Sequence, residues 1–142
     1  MLIPFLPLLA FLINIIFGKF LLKNRVHYVA IIAVFMSFLL SLMVFVHVAG
    51  GAHMNSDLYS WISSGGFRVS VGFLIDPLTA IMLIVVTSVS LLVHIYSVGY
   101  MHGDPGYYRF FSYLSLFTFS MLMLVTGNNL LQLYFGWEAV GL

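Results

Sequence analysis

The chain has 142 residues, 63% of them hydrophobic and only 6% charged, with a mean hydropathy of +1.14, whereas soluble domains carry about 25% charged residues. Five Lys and Arg with four Asp and Glu cannot build a solvated outer face, so the bilayer has to cover most of the molecule. A net charge of +1 without any basic cluster beyond Lys19, Lys23 and Arg25 gives no footing for nucleic acid, and the absence of cysteine removes disulfides, thiolate metal sites and a Cys nucleophile.

Residues 2 to 18 form the first apolar run. It contains Pro4, Pro7 and Asn14, has no basic residues before it and no A-x-A-like exit, so it reads as a retained transmembrane helix rather than a signal peptide. A second uncharged run covers 28 to 48, and both are near the ~20 residues a bilayer demands. Between them KFLLKNRVH places Lys19, Lys23 and Arg25 in one short loop, which the positive-inside rule assigns to the cytoplasm.

Residues 50 to 76 have another texture. Phe67, Val69, Val71, Phe73 and Ile75 alternate with Arg68, Ser70, Gly72 and Leu74, next to Ser63-Ser64-Gly65-Gly66. That pattern predicts an extracytoplasmic β-hairpin over about 58–75, turning near Gly65. Asp76-Pro77 then supplies an N-cap and the residue best tolerated at the first helical position, opening a third span over 77–99. His102, Gly103, Asp104, Pro105 and Gly106 break it. Arg109 precedes a fourth span over 110–126, again on the cytoplasmic side, and a fifth run from 129 to 142 is expected to be a truncated spanning helix. The expected fold is an all-α integral membrane bundle of four complete helices and a truncated fifth, with one short hairpin, as a single membrane unit over 1–142.

Glu138 is the residue that needs a chemical reason. A helix starting near Asn129 and rising 1.5 Å per residue puts it about 14 Å deep, close to the midplane of a ~30 Å core. A carboxylate there costs about 2.5–3.5 kcal/mol on insertion scales, so it requires a partner, water or a proton. The expectation is a buried acid that takes up and releases protons; the competing one is a structural carboxyl bonded to a neighbouring helix. His94, in the cytoplasmic half of the third span near Tyr96 and Tyr100, could join such a path, although an interhelical hydrogen bond is the commoner use of a membrane histidine. Asn14, Thr87, Ser88, Ser90, Ser112, Ser115, Thr118 and Ser120 read as packing and interhelical hydrogen-bonding positions. His27, His47, His53 and His102 have no spaced partners suggesting a metal. No H-E-x-x-H, G-x-S-x-G, P-loop or G-x-G-x-x-G is present.

The stretches VGFLIDPLTAIMLIVVTSVSLLVHIYSVGYMHGDPGYYRFFSYLSLFTFSMLMLV, TGNNLLQLYFGWE and VGL resemble the amino-terminal region of the subunit L (chain 5) family of respiratory NADH:quinone oxidoreductase. The resemblance runs from about Trp61 to Leu142 and rests most on IDPLT, YSVGYMHGD, RFF and FGWE. It implies a proton-translocating subunit, part of an enzyme complex but with no redox site of its own. FMN, iron–sulfur clusters, NADH and quinone would be bound by other subunits, and the partners would be other membrane subunits and the lipid bilayer. Within the family the GWE glutamate handles protons, a role that falls on Glu138. Ala139 stands where Gly is common, which adds a methyl beside the acid. The implied location is the bacterial cytoplasmic membrane, with the mitochondrial inner membrane as its organellar counterpart. An Mrp-type cation/proton antiporter subunit is the nearest alternative, and a non-transporting scaffold or assembly protein is the alternative from another class.

Overall fold

A computed structural model describes residues 2–51 and 54–141. Five α-helices and one hairpin follow in chain order: α1 Phe5–Phe17, α2 Val26–Ala49, β1 Met54–Ser64, β2 Phe67–Ile75, α3 Pro77–Tyr100, α4 Tyr107–Thr126 and α5 Leu130–Gly141. Four helical segments are long and apolar enough to cross a membrane: Phe5–Leu22, Val26–Ala49, Pro77–Tyr100 and Tyr107–Thr126. Contacts run α1 to α2, α2 to α3, α3 to α4 and α4 back to α1, so four helices close a ring, and α5 packs against α4.

The interior of this bundle is built largely from small and hydroxyl residues. Ser37, Ser41, Thr87, Ser97, Ser112, Ser115, Thr118, Ser120 and Thr126 are buried, and most of their hydroxyls return to the carbonyl four residues earlier, as Thr87 does to Leu83 at 2.6 Å and Thr126 to Leu122 at 2.7 Å. A hydroxyl satisfied on its own helix leaves a compact, electrically quiet surface, which lets apolar backbones approach without a hydrophobic driving force between them. Phe73, Phe111, Leu83 and Leu122 are fully buried, whereas many other large apolar side chains, Leu9, Phe20, Tyr28, Ile32, Met43, Val89 and Leu92 among them, are exposed along the outer faces.

Helix ends differ from expectation where charge meets helix geometry. The first span does not stop at residue 18: α1 continues as a π-helical turn over Gly18–Leu22 and a short 3₁₀ turn over Lys23–Arg25, with Lys23 at φ 43°. Gly18 sits where a Cβ would lie 3.1 Å from the Tyr108 Cβ and 3.2 Å from Val26 Cγ1, so the α1–α2 corner packs tightly on the start of α4. Arg109 lies inside α4 rather than before it, because the helix begins at Tyr107; in this first turn Tyr107 is buried and Arg109 is exposed. Lys19, Lys23, Arg25 and Arg109 therefore ring one end of the bundle.

At the opposite end, the hairpin is longer than the alternation alone indicated. Pairing starts at Met54↔Ile75, and β1 spends 11 residues against 9 in β2 through register shifts between Asp57 and Tyr59 and between Ser60 and Ile62. Such bulges insert an unpaired residue and hide the period of two. The two-residue turn has φ 55° at Gly65 and 90° at Gly66, the combination a type I′ hairpin turn requires and that glycine meets at least cost. Val69, Phe73 and Ile75 are buried beneath the hairpin, with the Phe5 ring edge-on to Phe73 at 6.3 Å. The expected cap on α3 is present: Asp76 Oδ1 accepts the Thr79 amide at 2.7 Å, with Pro77 at the first helical position.

Candidate functional site: the helix bearing Glu138

Placement of Glu138 begins outside the membrane span, at the hairpin. Asn129 caps α5 by accepting the Gln132 amide at 2.8 Å, and its own amide donates to Ser70 O at 2.5 Å. Asn128 donates to Asp57 Oδ1 at 2.6 Å. Gln132, buried in the first turn, grips Gly72 at both backbone groups: its Oε1 accepts the Gly72 N–H at 3.0 Å and its Nε2 donates to the Gly72 carbonyl at 2.9 Å. A primary amide has one donor face and one acceptor face side by side, which is the pattern a strand presents, so Gln132 pairs with β2 as a third strand would. The bulged Trp61 meets Phe135 edge-on at 6.3 Å.

Gln132→Leu is therefore expected to leave a buried donor and a buried acceptor at Gly72 unsatisfied together, costing about 2–3 kcal/mol. Hydrogen–deuterium exchange on the full-length subunit in its assembled complex should show lost protection at the Gly72 amide; unchanged protection would mean the pairing is dispensable.

One turn further in, α5 touches α4 at its narrowest point. A Cβ on Gly136 would stand 3.0 Å from both the Leu124 Cα and N. Glu138 follows two residues later, about 12 Å along the helix from Leu130. Here the structure departs from the sequence reading: Glu138 is exposed on the outer face of α5, not buried among these helices. Of the described residues, Tyr134 one turn earlier interacts with its carboxylate and is itself exposed. The reason is geometric. Gly136 and Gln132 define the packed face of α5, and Glu138, two positions beyond Gly136, is turned roughly 200° from it. Ala139 is half-buried on an open groove with Tyr113, Leu116, Phe117 and Val140, where its methyl has room.

His94 occupies the reverse situation. It is fully buried in α3, its Nδ1–H donates to Ser90 O at 2.7 Å, and its ring lies 6.2 Å from Phe111 of α4. Tyr96 and Tyr100, expected near it, instead stack on each other at 6.0 Å on the exposed face of α3. The structure thus does not bring His94 and Glu138 into one site. A further polar pair was not anticipated: Tyr107 OH and His27 Nδ1 meet at 2.8 Å near the basic end. The two residues are 80 positions apart, and no local period links them. Among the described residues no group of three His, Cys, Asp or Glu could hold a metal; His53 lies outside the described residues.

The architecture defines a multi-helix integral membrane subunit whose fifth helix, carrying one acid, is pinned by a surface hairpin. The sequence profile described as NADH-Ubiquinone oxidoreductase (complex I), chain 5 N-terminus matches residues 61–111. The chain is 50% identical over 145 residues to NADH-quinone oxidoreductase subunit L of Neisseria meningitidis serogroup A, covering 100% of this chain and 22% of that protein. It is 52% identical to NADH-ubiquinone oxidoreductase chain 5 of Triticum aestivum, covering 100% of this chain and 21% of that one. The structure of an archaeal respiratory membrane complex, the membrane-bound sulfane sulfur reductase, contains a chain of the same fold, with a TM-score of 0.83 at 16% identity over 98% of this chain and 28% of that chain. The chain is thus similar to the amino-terminal region of subunit L (chain 5) of NADH:quinone oxidoreductase and spans about a fifth of the length of these curated relatives.

Proposed function

We propose that this chain is the amino-terminal portion of a proton-translocating subunit of NADH:quinone oxidoreductase, and that Glu138 carries a proton near the membrane midplane. The observation that supports this most is the likeness to subunit L over the whole chain, together with an acid, Glu138, in the apolar helix α5. NADH, flavin, iron–sulfur clusters and quinone belong to other subunits in this reading, so the role of the chain is to move charge while the redox chemistry proceeds elsewhere. The exposure of Glu138 fits such a role: an acid on an outward face of α5 can exchange protons with groups contributed from beyond these five helices. His94 serves the same flow from the basic end. The test is proton uptake driven by NADH in sealed proteoliposomes with a trapped pH-sensitive dye, using the complete complex carrying Glu138→Gln. Pumping at the wild-type level would remove Glu138 from the path.

The membrane orientation follows from charge. Lys19, Lys23, Arg25 and Arg109 lie at one end and the hairpin at the other, which puts the former in the cytoplasm and the hairpin outside in a bacterial cell membrane, or in the matrix and intermembrane space of a mitochondrion. A cysteine at position 23 of the full-length subunit, in a background otherwise free of reactive thiols, should label with an impermeant maleimide only from the cytoplasmic side. One at position 64 should label only from outside. The reverse pattern would invert the assignment.

A further inference from the structure

His94 is the titratable group buried most completely among the described residues, and the hydrogen bonds around it fix where its protons sit. The Ser90 carbonyl can only accept, so Nδ1 carries the hydrogen at 2.7 Å and Nε2 of the neutral ring is left as an acceptor. Thr118 on α4 donates to Leu114 O at 3.0 Å, so in its 2.5 Å contact with Ser90 Oγ it must be the acceptor and Ser90 the donor. Ser90 Oγ also lies 3.3 Å from Nδ1. Ser90 therefore uses its carbonyl on the imidazole and its hydroxyl on Thr118, which ties His94, about 9 Å along α3 from the helix end at Tyr100, to α4.

On the other side of the ring, Nε2 is buried and has no protein partner among the described residues. Asn14 Oδ1 on α1 is the other buried acceptor in that position, its amide being used on Val26 O at 3.3 Å. Both atoms border one cluster, since Val26 packs with Ala30, Tyr107 and Phe111, and Phe111 lies against the His94 ring. Phe111 also lies 6.2 Å from the half-buried His27, whose Nδ1 meets Tyr107 OH. Buried acceptors without donors are rare in folded proteins and are commonly satisfied by internal water.

We infer that His94 Nε2 binds an internal water and is a proton-loading point reached from the basic end past the His27–Tyr107 pair. In the loading step a hydronium ion in that pocket gives one proton to Nε2 and remains as water, while Nδ1 keeps its hydrogen on the Ser90 carbonyl. Release is the reverse transfer. The inference extends the proton-translocating reading to a second site that does not depend on Glu138.

Two measurements on the complete complex with the full-length subunit test it. In a high-resolution cryo-electron-microscopy map of the wild-type complex, a water should lie about 2.7–3.2 Å from Nε2; a dry apolar contact or a protein group there, in a map that resolves other internal waters, would overturn the hydrated site. His94→Gln keeps a donor for the Ser90 carbonyl and a neutral acceptor but cannot hold an extra proton. It should leave the complex assembled and slow dye-detected proton uptake by about tenfold or more, whereas full rescue by Gln would show that the ring is only structural. The water is read without any substitution, so its absence counts against His94 alone, while wild-type pumping by Glu138→Gln counts against Glu138 alone.

Discussion

Glu138→Gln in the assembled complex is expected to slow NADH-driven proton uptake by about tenfold or more while leaving the amount of complex nearly unchanged. The two halves of that result have separate causes. Glutamine keeps the size of the side chain and its ability to accept a hydrogen bond, but it has no proton to exchange. Removing a charge from an apolar helix also relieves part of the about 2.5–3.5 kcal/mol that a midplane acid costs, so assembly gains slightly if it changes at all. Within these five helices only Tyr134 leans on the carboxylate, and Tyr134 is exposed, so Glu138→Ala leaves no buried partner stranded here. Glu138→Gln, which keeps the size of the side chain and its acceptor, should therefore assemble. A loss of complex with that variant, measured on a native gel, would identify Glu138 as a structural carboxyl.

The parts of this molecule that were legible in the sequence are those governed by local rules. The Asp76-Pro77 pair announced α3 because an N-cap oxygen and a proline at the first helical position act within one turn. Gly65-Gly66 located the hairpin turn because two successive positive φ angles are otherwise expensive. The bulged half of β1 was not legible: each extra residue moves the following side chains to the other face, so the alternation before Tyr59 dissolves. Arg109 was misplaced relative to α4 since hydropathy finds the edge of the hydrocarbon, whereas the helix extends a turn beyond it.

The candidate site divides in the same way. Glu138 stood out from its position in an apolar run, but its exposure depends on which face of α5 meets α4, and that is set by Gly136 against Leu124. The Gln132–Gly72 and His27–Tyr107 pairs are 60 and 80 residues apart, and a single sequence carries no signal for such tertiary contacts. His94 was recognised as an unusual residue. Its tautomer and its unpartnered nitrogen emerged only once Ser90 and Thr118 were placed around it.

Gly136→Val should be the most damaging single change to the structure of this segment. The first added carbon would meet the Leu124 Cα and N at 3.0 Å, and these are backbone atoms of a helix that cannot turn aside as a side-chain tip can. Helix propensity pulls the other way: replacing glycine by alanine stabilises a helix by about 1 kcal/mol, while forcing extra carbon into a packed interface costs about 1–3 kcal/mol. For Gly136→Ala the two terms nearly offset, and the net loss should be about 1 kcal/mol or less. For Gly136→Val the β-branched side chain forfeits much of the propensity gain and adds two methyls to the collision, so α5 has to tilt off α4 and pull on the Gln132–Gly72 pairing behind it. Native gels and thermal melts of the complex carrying the full-length subunit should rank the proteins wild type, then Gly136→Ala a little below, then Gly136→Val far below. Equal stability of all three would show that α5 rides free of α4, and that the position of Glu138 is fixed by the hairpin alone.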